Sequence, residues 1–274
     1  MGVLEFLYNT VPGRIILKPL SSRFVSNLSG AMMDTRASKC LVKSFVKKNG
    51  IDTSEYELDG VKSFNTFFYR PVKEGMRPVC QDSDALVAPC DGLLKVCRIE
   101  KDTVLSVKQS EFSISSLLRS EKLAQKFEGG YCLVFRLCVD NYHRYGYVET
   151  GFKSRNRVIP GVYHTVRPVA LEARPVFLEN SRQYCLIKTP NLGTVCQMEV
   201  GAMLVGKICN NDTGSCEVKR GEEKGHFEYG GSTIIVLLRE GAADIYDEII
   251  KNSSEDKETP VKLGERIGTS RCGR

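Results

Sequence analysis

From about residue 80 onward the chain is a succession of short apolar runs separated by turn residues. Leu86–Val87, Leu93–Ile99, Tyr131–Val139, Tyr145–Glu149, Tyr184–Lys188, Thr194–Cys209, His226–Tyr229 and Ser232–Leu238 read as strands, with glycine, proline and asparagine between them. That spacing predicts antiparallel pairing in a barrel or sandwich. After a polar tail at 252–259, Val261–Ile267 adds a last strand. Residues 1 to about 70 have a different texture and read as helical. Ile15, Ile16, Leu17, Leu20, Phe24, Val25, Leu28 and Met32 recur there at near-helical spacing. A short link after Asn49-Gly50 leads to the aromatic cluster Ser63–Arg70, which stops at Pro71. The predicted class is therefore α+β: a helical N-terminal region, 1–70, followed by a β-rich barrel- or sandwich-like domain, 71–274. No repeat, coiled coil or low-complexity tract interrupts this division.

Charge sharpens the picture of the helical part. Residues 1–50 hold eight Lys/Arg against Glu5 and Asp34, so the whole formal excess of +6 sits there and the remainder is neutral. A basic patch suits nucleic acid or an anionic membrane surface. The apolar residues among Arg14, Lys18 and Arg23 favour a helix lying on a membrane and disfavour nucleic acid. A core-packing helix with a solvated basic face fits the same pattern. No apolar run approaches the roughly 18 residues of a spanning helix. Pro12, Pro19 and the lack of a compact apolar segment argue against a signal peptide, and Phe6 stands where a myristoylation signal wants Ser or Thr.

The eleven cysteines form no CxxC and no Cys/His cluster, and several lie inside apolar strands. They read as small hydrophobes and free thiols in a reducing cytoplasm, with no metal site.

Candidate chemistry is scarce, which makes it easy to enumerate. The three histidines are His143, in Asp140-Asn141-Tyr142-His143-Arg144 at a strand end, His164, in Val162-Tyr163-His164-Thr165, and His226, six residues before Ser232. Lone histidines are commonly structural, but strand edges beside turns are where functional side chains are displayed. Asp91, in Pro89-Cys90-Asp91-Gly92, reads on spacing alone as a turn residue, with orientation of an imidazole as the alternative. Gly230-Gly231-Ser232-Thr233 opens the apolar run Ser232–Leu238. Alone it is a β-turn feeding a core strand. A serine after glycines on a tight turn also has little steric cover, so its hydroxyl can fold back onto the preceding carbonyl.

Together these segments resemble the phosphatidylserine decarboxylase proenzyme family. The resemblance runs over nearly the whole chain, through Leu7–Arg14, Phe64–Arg70, Ala88–Gly92, Tyr142-His143-Arg144, Met198–Ala202, Arg220–Phe227 and Gly230–Thr233. It implies self-cleavage between Gly231 and Ser232, giving a β chain (1–231) and an α chain (232–274). Ser232 would become a covalent pyruvoyl group, the pyruvate cofactor, which forms a Schiff base with phosphatidylserine and releases phosphatidylethanolamine. Asp91 matches the family's acid, and His143 is the candidate acid/base of the decarboxylation. Many members carry a second histidine, serving self-cleavage, where this chain has Gly146. The cleavage base is then His143 itself or His164, whose strand would lie beside that of His143. His226 is disfavoured, since the family usually has another basic residue there. Peripheral attachment to the cytoplasmic face of the cell membrane follows, and association into a homo-oligomer is compatible with it. A non-catalytic β-barrel carrier, with GGST as a plain turn, is the competing reading. A decarboxylase for a soluble amine gives no reason for the basic amphipathic N-terminus.

Overall fold

The computed structural model describes residues 2–100, 105–107, 110–165, 168–202, 207–229 and 232–271. Five helices fill the N-terminal part: α1 (Val3–Asn9), α2 (Val11–Leu20), α3 (Arg23–Met33), α4 (Cys40–Asn49) and α5 (Phe64–Phe68). Local chemistry sets their starts. The Thr10 hydroxyl accepts the Gly13 N–H at 3.0 Å to cap α2, where Pro12 in the first turn gives up no needed donor. Ser63 and Thr66 exchange bonds in a capping box at α5. No described helix is long and apolar enough to cross a membrane.

The remainder is built on one large antiparallel sheet. Its spatial order is Cys216–Val218, Gly151–Lys153, Arg182–Thr189, Gly193–Val200, Ser232–Leu238, Tyr131–Leu137, Gly92–Arg98 and Thr259–Val261, with Arg157–Ile159 also on Arg182–Thr189. Two three-stranded sheets, Ala85–Val87/Arg266–Ser270/Ala243–Ile245 and Ile208–Asn210/Glu223–Phe227/Arg144–Gly146, accompany it. Among the described residues the sheets are open and none closes into a barrel. The architecture is layered. Ile235 and Leu237 enter a core with Tyr8 and Leu17 of the helices and Phe177. Ile234, Val236 and Leu238 enter the other, with Leu137, Tyr145 and Phe227. This two-sided burial is the period-2 alternation of a central strand.

Three expected elements differ. The run expected over Thr194–Cys209 ends as a strand at Val200, because the Gly201 carbonyl turns to the Asn180 side-chain amide at 2.7 Å. The polar stretch from residue 252 begins inside a helix, Asp247–Ser254, with two acids in its first turn and Ile249 buried. Its charged composition conceals this amphipathic helix. Finally, Val261–Ile267 is cut in two at Gly264 (φ +82°), and the halves join different sheets.

The apolar residues of α2 and α3 are mostly not core. Leu17 is buried, yet Ile15 (70% exposed), Phe24 (77%), Leu28 and Met32 face outward.

Candidate active site

Ser232 begins the central strand Ser232–Leu238, opposite Leu137. It is fully buried, and its Oγ has no hydrogen-bond partner among the described residues. By alternation its side chain shares a face with Ile234. Gly231, its expected partner across the scissile bond, lies outside the described residues.

His143 follows the neighbouring strand Tyr131–Leu137 after a turn closed by Asn141 N–H to the Cys138 carbonyl, 3.0 Å. Its Nδ1 is 2.9 Å from the Asn141 carbonyl. A carbonyl only accepts, so Nδ1 carries the proton and Nε2 presents its lone pair. That Nε2 is buried without a partner among the described residues. Burial above all, with the nearby Arg70 guanidinium, lowers the imidazole pKa to about 3 against the opposing bond to Asn141. His143 is therefore neutral at pH 7, in the tautomer of a base. Its ring lies on Phe68 (centroids 3.9 Å apart), and Phe68 also meets Tyr229 (5.2 Å), three residues before Ser232. The Phe227 N–H donates to the His143 carbonyl at 2.9 Å. Two buried polar atoms without partners, Ser232 Oγ and His143 Nε2, thus belong to segments tied together through Phe68 and Phe227. Such atoms are costly in a folded core and concentrate where chemistry occurs.

Asp91 is buried, but its carboxylate meets no imidazole among the described hydrogen bonds. Arg77 grips it with Nε (2.9 and 3.0 Å) and Nη2 (2.7 Å), and the Leu263 N–H adds a bond at 2.9 Å. Arg77 also reaches Glu55 at 2.9 Å. Position 146 explains the substitution of partners. The Gly146 N–H donates to the Pro89 carbonyl at 2.8 Å, which sets it beside the Asp91 turn. A Cβ on Gly146 would stand 3.0 Å from the Gly221 carbonyl oxygen and 3.1 Å from that of Glu222. A side chain at position 146 would therefore crowd this backbone, and the nearby Asp91 carboxylate pairs with Arg77.

His164 is placed elsewhere. Its Nε2 is 3.0 Å from Glu179 and its Nδ1 3.3 Å from the Tyr8 hydroxyl. Tyr8 belongs to the core on the helical face of the sheet, opposite the face that carries Ile234. The expected pairing of the His164 segment with that of His143 does not occur among the described residues. Val162 bridges to Asn180, and Arg144–Gly146 pairs with Glu223–Phe227. The reason is Asn180, which binds both the N–H and the carbonyl of His164 and holds that segment to Gly201. His226 stacks on Tyr69 (4.3 Å), and burial lowers its pKa to about 4.

Depressed histidine pKa values have a measurable consequence. Below pH 6.5 the unfolded chain protonates His143 and His226, whereas the folded chain resists until about 3 and about 4. Stability is therefore full above pH 6.5 and falls as pH drops toward those values. By pH 5 each histidine costs about 2 kcal/mol. Urea unfolding of an uncut Ser232→Ala chain should show a lower midpoint at pH 5 than at pH 7, with a smaller gap once His143→Gln is added.

Several site residues carry no sequence signal of their own. Asn141 fixes the imidazole tautomer through a backbone carbonyl, which no side-chain pattern reveals. Arg70 and Phe68 sit in the aromatic block noted above, but their proximity to His143 depends on the fold. Lys224 and Glu199 form a fully buried ion pair of 2.7 Å near this face of the sheet, with Asn210 on both partners. Burial raises the Glu199 pKa, against the pull of Lys224.

Residues 64–269 match the family model described as phosphatidylserine decarboxylase. A protein of Clostridium acetobutylicum named phosphatidylserine decarboxylase proenzyme 2 is 40% identical over 97% of this chain and 91% of its own length. Phosphatidylserine decarboxylase proenzymes of Ruminiclostridium cellulolyticum (39%, over 97% of this chain and 90% of theirs) and Clostridium tetani (34%, over 99% and 93%) agree. These likenesses define a decarboxylase. The chain belongs to the phosphatidylserine decarboxylase family.

Proposed function

We propose that this chain cuts itself before Ser232 and then decarboxylates phosphatidylserine to phosphatidylethanolamine with a pyruvoyl group made from that serine. The observation that carries the reading is the pair of unpartnered buried atoms, Ser232 Oγ and His143 Nε2.

In self-cleavage, His143 Nε2 takes the hydroxyl proton as Ser232 Oγ bonds to the Gly231 carbonyl carbon. The C–N bond to Ser232 then breaks and an ester replaces the amide. Removal of the Ser232 α-proton expels the Gly231 carboxylate from Cβ, and water replaces the nitrogen, which leaves as ammonia. A ketone remains at the new terminus. A neutral base is needed throughout, and burial keeps His143 neutral across the physiological range. Asp91 serves as a positioning residue, holding the Arg77 and Leu263 segments against the turn at position 91.

The site suits a terminal pyruvoyl group because the strand beginning at Ser232 is hydrogen-bonded on both edges, to Gly193–Val200 and Tyr131–Leu137. Thr259–Val261 and Arg266–Ser270 pair with strands of the larger fragment, so the α chain stays bound after the cut. When formed, the group supplies an electrophilic carbonyl that engages the substrate amine and accepts the electron pair left by CO2. Protonation of the substrate α-carbon falls to His143, whose Nε2 relays a proton from solvent without resting as the cation.

Residues 1–70 act as the docking region and 71–274 as the catalytic domain, with the protein peripheral on the cytoplasmic face of the cell membrane. Support comes from α2, where Arg14 and Lys18 are exposed beside exposed Ile15 and Ile16. Vesicles test both parts. Wild-type protein should release CO2 from phosphatidylserine vesicles, and its absence from a fully cleaved sample would overturn the substrate assignment. Replacing Arg14, Lys18 and Arg23 by glutamine should weaken binding to anionic vesicles by about 10²-fold, at about 1 kcal/mol per charge. Unchanged binding in a sedimentation assay would sink the docking role.

A further inference from the structure

A cavity of about 370 Å³ lies between α3 and the segment leading to Ser232, lined by Ser26, Gly30, Asp34, Tyr163, Lys207 and Glu228 among others. We propose that this cleft seats the phospholipid head group, with Lys207 binding its phosphodiester and the carboxylates of Asp34 and Glu228 facing its ammonium. This rests on the reading of the chain as a phosphatidylserine decarboxylase.

The two faces of α3 suit a lipid entering from a bilayer. Phe24, Leu28 and Met32 repeat every four residues and are 77, 54 and 59% exposed, an outward apolar ridge. Ser26, Gly30 and Asp34 lie on the other face and line the cleft. A lipid whose chains stay beside the ridge can therefore lower its head group past the small Gly30 and Ala31. The far wall carries Lys207 Nζ, 3.0 Å from Glu228 Oε1. The Lys207 side chain remains 64% exposed at this wall while Glu228 is nearly covered. Ser26 gives an independent sign of a missing partner. It lines the cleft at 5% exposure, with an Oγ that is buried and makes no hydrogen bond among the described residues.

The cleft is anchored to the scissile region by Asn65. Its side-chain amide donates to Asp34 Oδ1 at 3.0 Å and to the Gly30 carbonyl at 3.4 Å. Its Oδ1 accepts the Tyr229 N–H at 3.2 Å, three residues before Ser232. Charge assigns the roles within the cleft. The head group offers a phosphodiester and a carboxylate as anions and one ammonium as cation. A cation held on the departing carboxylate would stabilise the ground state and slow its loss. Lys207 therefore belongs on the phosphodiester, which keeps its charge throughout.

Lys207→Gln and Lys207→Glu, assayed on phosphatidylserine in neutral detergent micelles, separate this role from bilayer docking. Both chains should cut themselves as wild type does, by intact mass. The Gln variant should raise KM about tenfold, the Glu variant more, with kcat within about twofold. Glycerophosphoserine should inhibit wild type competitively and lose potency in step, whereas serine methyl ester, which lacks the phosphate, should inhibit all three equally. An unchanged KM in the cleaved Glu variant overturns the proposal while leaving the decarboxylase reading intact. Failure of cleaved wild type to turn over phosphatidylserine overturns that reading instead. If the Lys207 variants do not fold, Ser26→Ala decides: a raised KM at constant kcat supports the cleft, and an unchanged one refutes it.

Discussion

A Ser232→Ala chain should run as one species of about 30.6 kDa, and its decarboxylase activity should fall to background, below about 10⁻⁴ of wild type. Alanine supplies no oxygen to attack the Gly231 carbonyl and no leaving group on Cβ for the elimination. Both halves of the maturation are therefore lost with one atom. Loss of folding offers no rival explanation. Among the described residues Ser232 Oγ is buried without a partner, so removing it breaks no hydrogen bond seen there. The variant should unfold in urea at a midpoint equal to or above that of the uncut wild-type chain. An uncut chain with a markedly lower midpoint would point to misfolding, and a chain that still cuts would remove Ser232 from its role.

The second large effect concerns the base. His143→Gln should slow self-cleavage by about 10²–10⁴-fold, whereas His164→Ala should cut at close to the wild-type rate. The two imidazoles differ in what their nitrogens already do. Both ring nitrogens of His164 are engaged, by Tyr8 and Glu179, on the helical face of the sheet. His143 keeps Nε2 unpartnered on the segment that shares Phe68 with Tyr229. With a folded pKa of about 3, His143 stays unprotonated through the physiological range, so cleavage limited by it should be nearly flat with pH from 8 down to 5. A rate that fell tenfold per pH unit below 6.5 would indicate a base with an unshifted pKa. Rapid cleavage by His143→Gln together with an uncut His164→Ala chain would transfer the role to His164.

Part of this was legible in the chain itself. The central strands Tyr131–Leu137 and Ser232–Leu238 appear as apolar runs because both their faces are covered, and such runs need no context to be read. Elements whose pattern is mixed were harder to see. The helix Asp247–Ser254 hides Ile249 among acids, and the break at Gly264 depends on bonds from Leu263 and Gly264 to Asp91 and Ala88. Ser232, His143 and Asp91 stand out by motif, yet their relations come from the tertiary structure. Nothing local tells that Arg77, fourteen residues away, takes the Asp91 carboxylate, or that the backbone of Gly221 fills the space beside Gly146. The apolar stripe of α2 and α3 fits a core helix and a membrane helix equally well as sequence. Only the exposure of Phe24, Leu28 and Met32 shows that the stripe faces outward.

On the proposed mechanism, Ser232 becomes the terminal group of a separate chain. Intact mass spectrometry of the denatured, purified protein tests it most directly. Two polypeptides are expected, residues 1–231 ending in a free carboxylate and residues 232–274, the latter lighter than its unmodified sequence by about 17 Da, the net loss of one ammonia. The small chain should also resist stepwise degradation from its N-terminus. A single intact chain in active protein, or a small fragment that begins with an unmodified serine, would contradict it.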